Sequence, residues 1–292
     1  MLDSTPVTSQ DVSRLTSQES ILSRVLKFVQ EGWPDEMEEV FYCRRTKLSC
    51  SASCLTLGSR VVIPQRGREA ILSELYTGHP GISQMKALAR CYCWWPLMDA
   101  EIEQLVKSRQ SCQAVQKAVN QPTFHPWEWP GKPSVRLHIN YAGPVEGKML
   151  LVIVDSYSKY IEIHTSTLTT SSVTIDKLRH AFATHGLPYS IVSDGSAFTS
   201  DEFHKFCSVN GIKHTRVSPC HPPSNGLAER AVQTVNIGLK KQEEGSLESR
   251  LDRFLFQYRL TPQSTTGETP FQLLLNRQPR SRLDLVFPDL SH

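Results

Sequence analysis

The chain has 292 residues, with 39% hydrophobic and 21% charged content and a net charge of +3. That balance describes a folded protein with one large domain, or a core plus a smaller module, and any basic surface must be local. No apolar run nears the roughly 20 residues of a membrane span, and Met1-Leu2-Asp3-Ser4-Thr5 has no secretory character, so a nuclear or cytoplasmic, non-secreted protein is expected. The eight cysteines are too scattered for a disulfide scaffold and are expected to be reduced.

Residues 1–15 are polar and read as a disordered lead. Thr16-x-x-Glu19 has the form of a capping box, and Ile21, Leu22, Val25, Leu26, Phe28 and Val29 follow at helical spacing until Gly32-Trp33-Pro34 stops them. The rest of the segment 16–65 reads as short strands, ending with the β-branched run Arg60-Val61-Val62-Ile63-Pro64. Residues 66–118 form a small helical module, with helices over 67–76, 82–91 and 98–108 and a core of Leu75, Met85, Leu88, Trp94, Trp95 and Leu105. The four prolines of 119–134, with Trp127 and Trp129, mark a linker pinned by its tryptophans.

From 135 the pattern is α/β. Val135, Leu137 and Ile139 alternate with Arg136, His138 and Asn140 at strand period, which puts Asn140 on the polar face. Met149 to Val154 is a continuous apolar run, as a strand covered on both faces requires. A third strand at 160–164, a helix over 171–185, a strand over 189–193 ending at Asp194, a helix opened by Thr199-x-x-Glu202 and a strand over 212–217 follow. The core closes at 245 with a long helix over 224–243, and 246–292 holds further helices, over 246–260 and from Thr269-Pro270, and a basic tail.

Taken singly, an aspartate after a strand is a cap or turn residue and a glutamate on a helix is solvated. Three segments together say more: Leu137-His138-Ile139-Asn140-Tyr141-Ala142-Gly143-Pro144, Ser193-Asp194-Gly195, and His221-Pro222-Pro223-Ser224-Asn225-Gly226-Leu227-Ala228-Glu229-Arg230. With Thr199 to Phe203, Asn210 to Thr215 and Gly267 to Phe271, they make the chain resemble an integrase of gypsy-type long-terminal-repeat retrotransposons over about residues 16–288. The resemblance implies a ribonuclease-H-like mixed sheet flanked by helices, preceded by a zinc-finger-like helical module. It implies magnesium-dependent joining of DNA ends, DNA as partner and a possible homo-oligomer without membrane attachment.

By that resemblance Asp194 and Glu229 fill the second and third catalytic positions and would hold magnesium, while Asn140 stands at the first, where the family has aspartate. Asn offers one neutral carbonyl oxygen, so magnesium binding is expected to be weakened. Asp155 is a poor substitute at the far end of the next strand, and the loop after Asp194 is one residue shorter than the family's. In the zinc-like module the four ligand positions read Tyr76, His79, Arg109 and Cys112, leaving only His79 and Cys112, so zinc is not expected. The Glu229 helix carries a polar stripe of Gln233, Asn236 and Lys240. There Arg230, Gln233, Lys240 and Lys241 are the candidate nucleic-acid contacts, and Arg277, Arg280 and Arg282 form a second basic cluster. Tyr157 and Tyr160 are expected to pack on the sheet, and His138, His214 and His221 to act as hydrogen-bonding residues. The all-β module that usually follows such cores is expected to be absent. The favoured reading is a degenerate copy that binds nucleic acid or a protein without efficient catalysis. An active integrase with weakened metal binding and a translated remnant stand as alternatives.

Overall fold

A computed structural model describes residues 7–34, 39–77, 80–108, 128–217, 225–242 and 244–288. The chain divides into two compact units. Met1–Ala114 and Pro279–His292 make the first, and Val115–Gln278 the second.

The first unit opens on helix α1 (Ser9–Gln18), inside the stretch read as a disordered lead. Its capping box is Thr8 and Asp11: the Thr8 hydroxyl accepts the Asp11 N–H at 3.3 Å, and the Asp11 carboxylate accepts from the Thr8 N–H at 3.2 Å. Thr16 is therefore not a cap but a buried residue of α1. Glu19, its expected partner, reaches across to accept the Gln65 N–H at 2.7 Å, at the start of another helix. Helix α2 (Ser20–Glu31) ends at Gly32, as its sequence indicates. After a short helix α3 (Glu39–Tyr42), strands β1 (Leu48–Ser51), β2 (Cys54–Leu57) and β3 (Arg60–Val62) run antiparallel, and β4 (Cys93–Trp94) adds to β3 in parallel.

Helices α4 (Gln65–Leu75), α5 (Ile82–Tyr92) and α6 (Met98–Ser108) fall close to their expected spans. They close on Leu75, Met85, Leu88, Trp95 and Ile102. Leu283 and Val286, from the far end of the chain, complete the same core. The block expected as one C-terminal segment, 246–292, thus divides: its helices belong to the second unit and its last described turn to the first. Arg282, expected in a basic cluster, is instead held by Glu74 at 3.1 Å.

The second unit is built on a five-stranded sheet of order β7-β6-β5-β8-β9. Strands β5 (Arg136–Val145), β6 (Lys148–Asp155) and β7 (Ile161–Ser166) are antiparallel, and β8 (Ser190–Ser193) and β9 (Lys213–Arg216) are parallel to β5. Helix α7 (Ser171–His185) and α8 (Asp201–Val209) cover one face over Ile139, Leu151, Ile153 and Ile191. Ser200, rather than Thr199, caps α8 by accepting the Phe203 N–H at 3.1 Å. Helix α9 (Gly226–Lys240) and α10 (Leu247–Leu260) cover the other face over Ala142, Leu150, Val152 and Val154. Met149 to Val154 of β6 is an apolar run because both its faces are roofed. A short helix α11 (Pro270–Leu275) follows, capped by Thr269 with proline in its first turn. This is the expected ribonuclease-H-like mixed sheet flanked by helices.

Two glycines set close approaches. Gly143, at φ +110°, sits where the β5–β6 register shifts, and a Cβ there would lie 3.0 Å from the Lys148 carbonyl oxygen. Gly238 lets α9 meet α10, since a Cβ would lie 2.2 Å from the Phe254 ring. Among the described residues no helix is long and apolar enough to cross a membrane, and Cys43, Cys50, Cys54, Cys93 and Cys207 are free thiols.

Candidate metal and nucleic-acid site

Register places the first two positions. Ile139 pairs with Ser193, so Asn140 and Asp194 lie one residue further along parallel neighbours, about 4.8 Å apart by strand spacing. Alternation turns Asn140 with His138 and Ala142 toward the α9 face. Ser193 is anchored by His214: its hydroxyl meets the ring Nε2 at 2.7 Å, and its carbonyl accepts the Val217 N–H at 3.0 Å. Burial, then the charges of His204 and Arg216, brings His214 down to about 4, so it holds the serine as a neutral ring.

The third position comes from α9. Asn225, just ahead of it, is fully buried. Its amide donates to the Ile139 carbonyl at 3.3 Å, which fixes its orientation, and its Oδ1 accepts from His138 Nδ1 at 3.0 Å. His138 is 2% exposed. Burial drives it down to about 4; the Asn225 bond opposes this, and Arg136 and Lys159 add to it. Glu229 follows one turn into α9. Burial raises its carboxyl above the usual range, the Asp194 charge raises it further, and Arg230 offsets part. The fold thus brings Asp194 and Glu229 into one field.

Asn140 does not complete the set. Its Oδ1 accepts the N–H of its own neighbour Tyr141 at 2.8 Å. Among the described residues, no group of three or more His, Cys, Asp or Glu side chains could hold a metal ion. Two carboxylates in one field are the donor type that a hard divalent cation takes together with water and phosphate. Asp155 is engaged elsewhere: its Oδ1 accepts from Ser134 N–H at 3.0 Å and its Oδ2 from the Ser158 N–H and hydroxyl at 2.7 and 2.6 Å. The loop after Asp194 is pinned by buried Phe198, stacked on Tyr141 at 5.7 Å and edge-on to Phe203 at 5.6 Å.

Arg230, Gln233 and Lys240 are exposed on α9 and Lys241 is partly so. In the helical module Tyr76 is packed into the core at the end of α4. His79, Arg109, Cys112 and His221 lie outside the described residues, as does Trp127. Tyr160 is buried as expected, while Tyr157 packs on Trp129 at 6.0 Å.

Sequence reasoning gave Asn225 no structural task, although its motif spacing singled it out. It also passed over Glu162, whose two oxygens take His164 at 2.9 Å and His185 at 3.2 Å. The Glu162/His164 spacing of two on a strand was visible; His185 lies on another element and was not.

Residues 63–118 match the family model of the integrase zinc binding domain, and residues 136–222 that of the integrase core domain. The chain is 36% identical to the Caenorhabditis elegans protein K02A2.6 over 97% of its own length and 23% of that protein's. It is 30% identical to the Pro-Pol polyprotein of feline foamy virus over 61% of this chain and 16% of that one. It therefore spans less than a quarter of either relative. Among solved structures, a simian T-cell lymphotropic virus intasome in complex with a PP2A regulatory subunit matches at 24% identity and a TM-score of 0.48, covering 70% of this chain and 75% of that one. The HTLV-2 integrase catalytic core in complex with magnesium matches at 24% identity and a TM-score of 0.43, covering 49% of this chain and 98% of that one.

Proposed function

From a chain that carries an integrase zinc-binding domain and an integrase core domain, and that is homologous to retroviral Pol polyproteins, we infer a DNA-binding protein of gypsy-type descent whose polynucleotidyl transfer is impaired. The observation that carries this reading is the Asn140 amide, whose oxygen is turned onto the Tyr141 N–H at 2.8 Å beside Asp194. A unit-charge pair at 4 Å contributes roughly 4 kcal/mol at an effective dielectric near 20. Losing that much from a transition state slows a reaction about a thousandfold. Asp194 and Glu229 would hold a single magnesium ion, which when bound would offset phosphate charge. Glu229 is half-buried, and the start of its helix is tied to β5 through Asn225, which keeps Glu229 within the field of Asp194. Arg230, Gln233, Lys240 and Lys241 on α9 would lie along the DNA backbone.

The helical module is proposed to hold itself together by packing rather than by zinc. Tyr76 stands in its core where a ligand is needed, and a structural zinc site closes with four N or S ligands. Stoichiometric zinc in purified protein would contradict this.

Magnesium-dependent joining of a DNA end to a target, assayed for the chain and for Asn140→Asp, tests the main reading. The unmodified chain should show DNA binding that weakens with salt and joining near background, with the variant gaining at least tenfold. Robust joining by the unmodified chain sinks the proposal.

A further inference from the structure

Away from Asp194, at the end of the sheet where β5 begins, one surface gathers cations and aromatic rings. The Arg136 carbonyl accepts the Ser156 N–H at 3.0 Å and its hydroxyl at 2.7 Å, and the Ser156 carbonyl accepts Lys159 Nζ at 2.6 Å. The Arg136 guanidinium donates to the Glu128 carbonyl at 2.7 Å, which fixes the chain beside Trp129. Trp129 then lies 5.7 Å from Lys159 Nζ and 6.0 Å from the Tyr157 ring, with 53% of its surface still exposed. Helix α9 brings Arg230 to the same neighbourhood.

Lys159 closes the β6–β7 turn at φ +61°, its N–H donating to the Asp155 carbonyl at 2.9 Å. The cations oppose one another. Burial lowers Lys159, Asp155 counters it, and Arg230 and Arg136 push it lower still. The Asp155 carboxylate is buried under Ser134 and Ser158, while Glu128 acts on Arg136 and Glu229 faces Arg230. A bound polyanion would relieve the repulsion that remains at Lys159.

We propose that Arg136, Lys159 and Arg230, with Trp129 and Tyr157 beside them, form a binding site for single-stranded nucleic acid. The cations meet phosphates of the backbone and the exposed indole stacks on a base. Stacking on an open aromatic face tolerates any base but needs one that is unstacked, which a duplex does not offer. The proposal rests on the nucleic-acid reading above and adds to it a strandedness and a surface.

The test is fluorescence anisotropy of the full chain with an end-labelled oligo-thymidine strand and with a duplex of the same length, each at low and moderate salt. The chain should prefer the single strand. Trp129→Ala should lose roughly tenfold on the strand and little on the duplex, as one lost base stack predicts. Trp129→Phe should retain most of the binding. Lys159→Gly is the discriminating variant. Removing the strained side chain should leave thermal stability equal or higher, yet weaken strand binding and flatten its salt slope by about 0.7. If the chain binds the strand while Trp129→Ala and Lys159→Gly bind it equally well, this surface is overturned and the broader DNA reading stands. If the folded chain binds neither strand nor duplex, both fall.

Discussion

Asn225 lies 3.0 Å from the His138 ring and 3.3 Å from the Ile139 carbonyl, so one buried amide ties the start of helix α9 to strand β5. It stands one turn before Glu229 on the helix side and one residue before Asn140 on the strand side. One buried side chain therefore links the neighbourhoods of two candidate site positions, beside the apolar packing of α9 on the sheet.

Removing that amide should cost stability. Asn225→Ala leaves the His138 ring nitrogen and the Ile139 carbonyl each short of a partner in a dry interior. A buried group left unsatisfied costs about 1–3 kcal/mol. Urea unfolding of the second unit should show a loss of that size; a loss under about 0.5 kcal/mol would mean the stitch carries no strain-free advantage over packing.

Buried His138 and half-buried His214 make the second unit acid-sensitive. His138 and His214 are both brought down from 6.5 to about 4, by burial first. Below 6.5 the unfolded chain takes up protons that the folded chain refuses, so stability is whole above that value and drains as pH falls toward 4. For His138 alone the shift corresponds to about 3 kcal/mol. Thermal melts between pH 7 and 4 should decline steeply, and His138→Gln should decline less.

Glu162 adds a second, lower acid limb. Burial by itself would raise its carboxyl, but hydrogen bonds from His164 and His185 outweigh this and leave it at about 2. Its contribution is present above the ordinary value of 4.5 and is lost as pH falls from there toward 2. Glu162→Gln should lower stability at pH 6 and show little further loss below pH 4, measured by denaturant midpoints at each pH.

Gly238→Ala should be disproportionately damaging for a substitution that normally favours helix. The added methyl meets the Phe254 ring at 2.2 Å, and overpacking of this kind costs about 1–3 kcal/mol. Pairing it with Phe254→Leu should recover part of the loss. Full tolerance of the single change would show that α10 can withdraw freely.

Asn140→Asp should change how the protein responds to magnesium even where no DNA is present. A third carboxylate beside Asp194 and Glu229 adds repulsion, so the metal-free variant should melt lower and its Glu229 should rise further. Magnesium at a hundred times its dissociation constant would then return about 2.7 kcal/mol. The unmodified chain should gain less over the same titration. Equal responses would place the metal somewhere that does not involve residue 140.

Much of the second unit was legible because its signals are local. Strand alternation at 135–140, the apolar run of β6 and the Thr269-Pro270 cap each report a periodicity or a dihedral preference carried by adjacent residues. The capping assignments failed where competition is tertiary. Thr16-x-x-Glu19 has the right letters, yet Thr16 is buried within α1 and Glu19 serves Gln65, 46 residues on. Arg282 looked like part of a basic tail because its partner Glu74 lies more than 200 residues away. At the site, motif spacing named Asp194, Asn140 and Glu229, but only the sheet register shows Asn140 beside Asp194, and only the atoms show its oxygen taken.

Leu283 and Val286 seal a core whose other members lie before residue 107. On a ribosome, the helical module therefore waits with an open side until residues 283–286 have emerged, while the second unit, contiguous in sequence, can finish earlier. Order of assembly runs against order of synthesis. A chain halted after Gln278 should keep a cooperative second unit and expose a loosened, dye-binding first one; an intact first unit in that fragment would show the late residues to be dispensable.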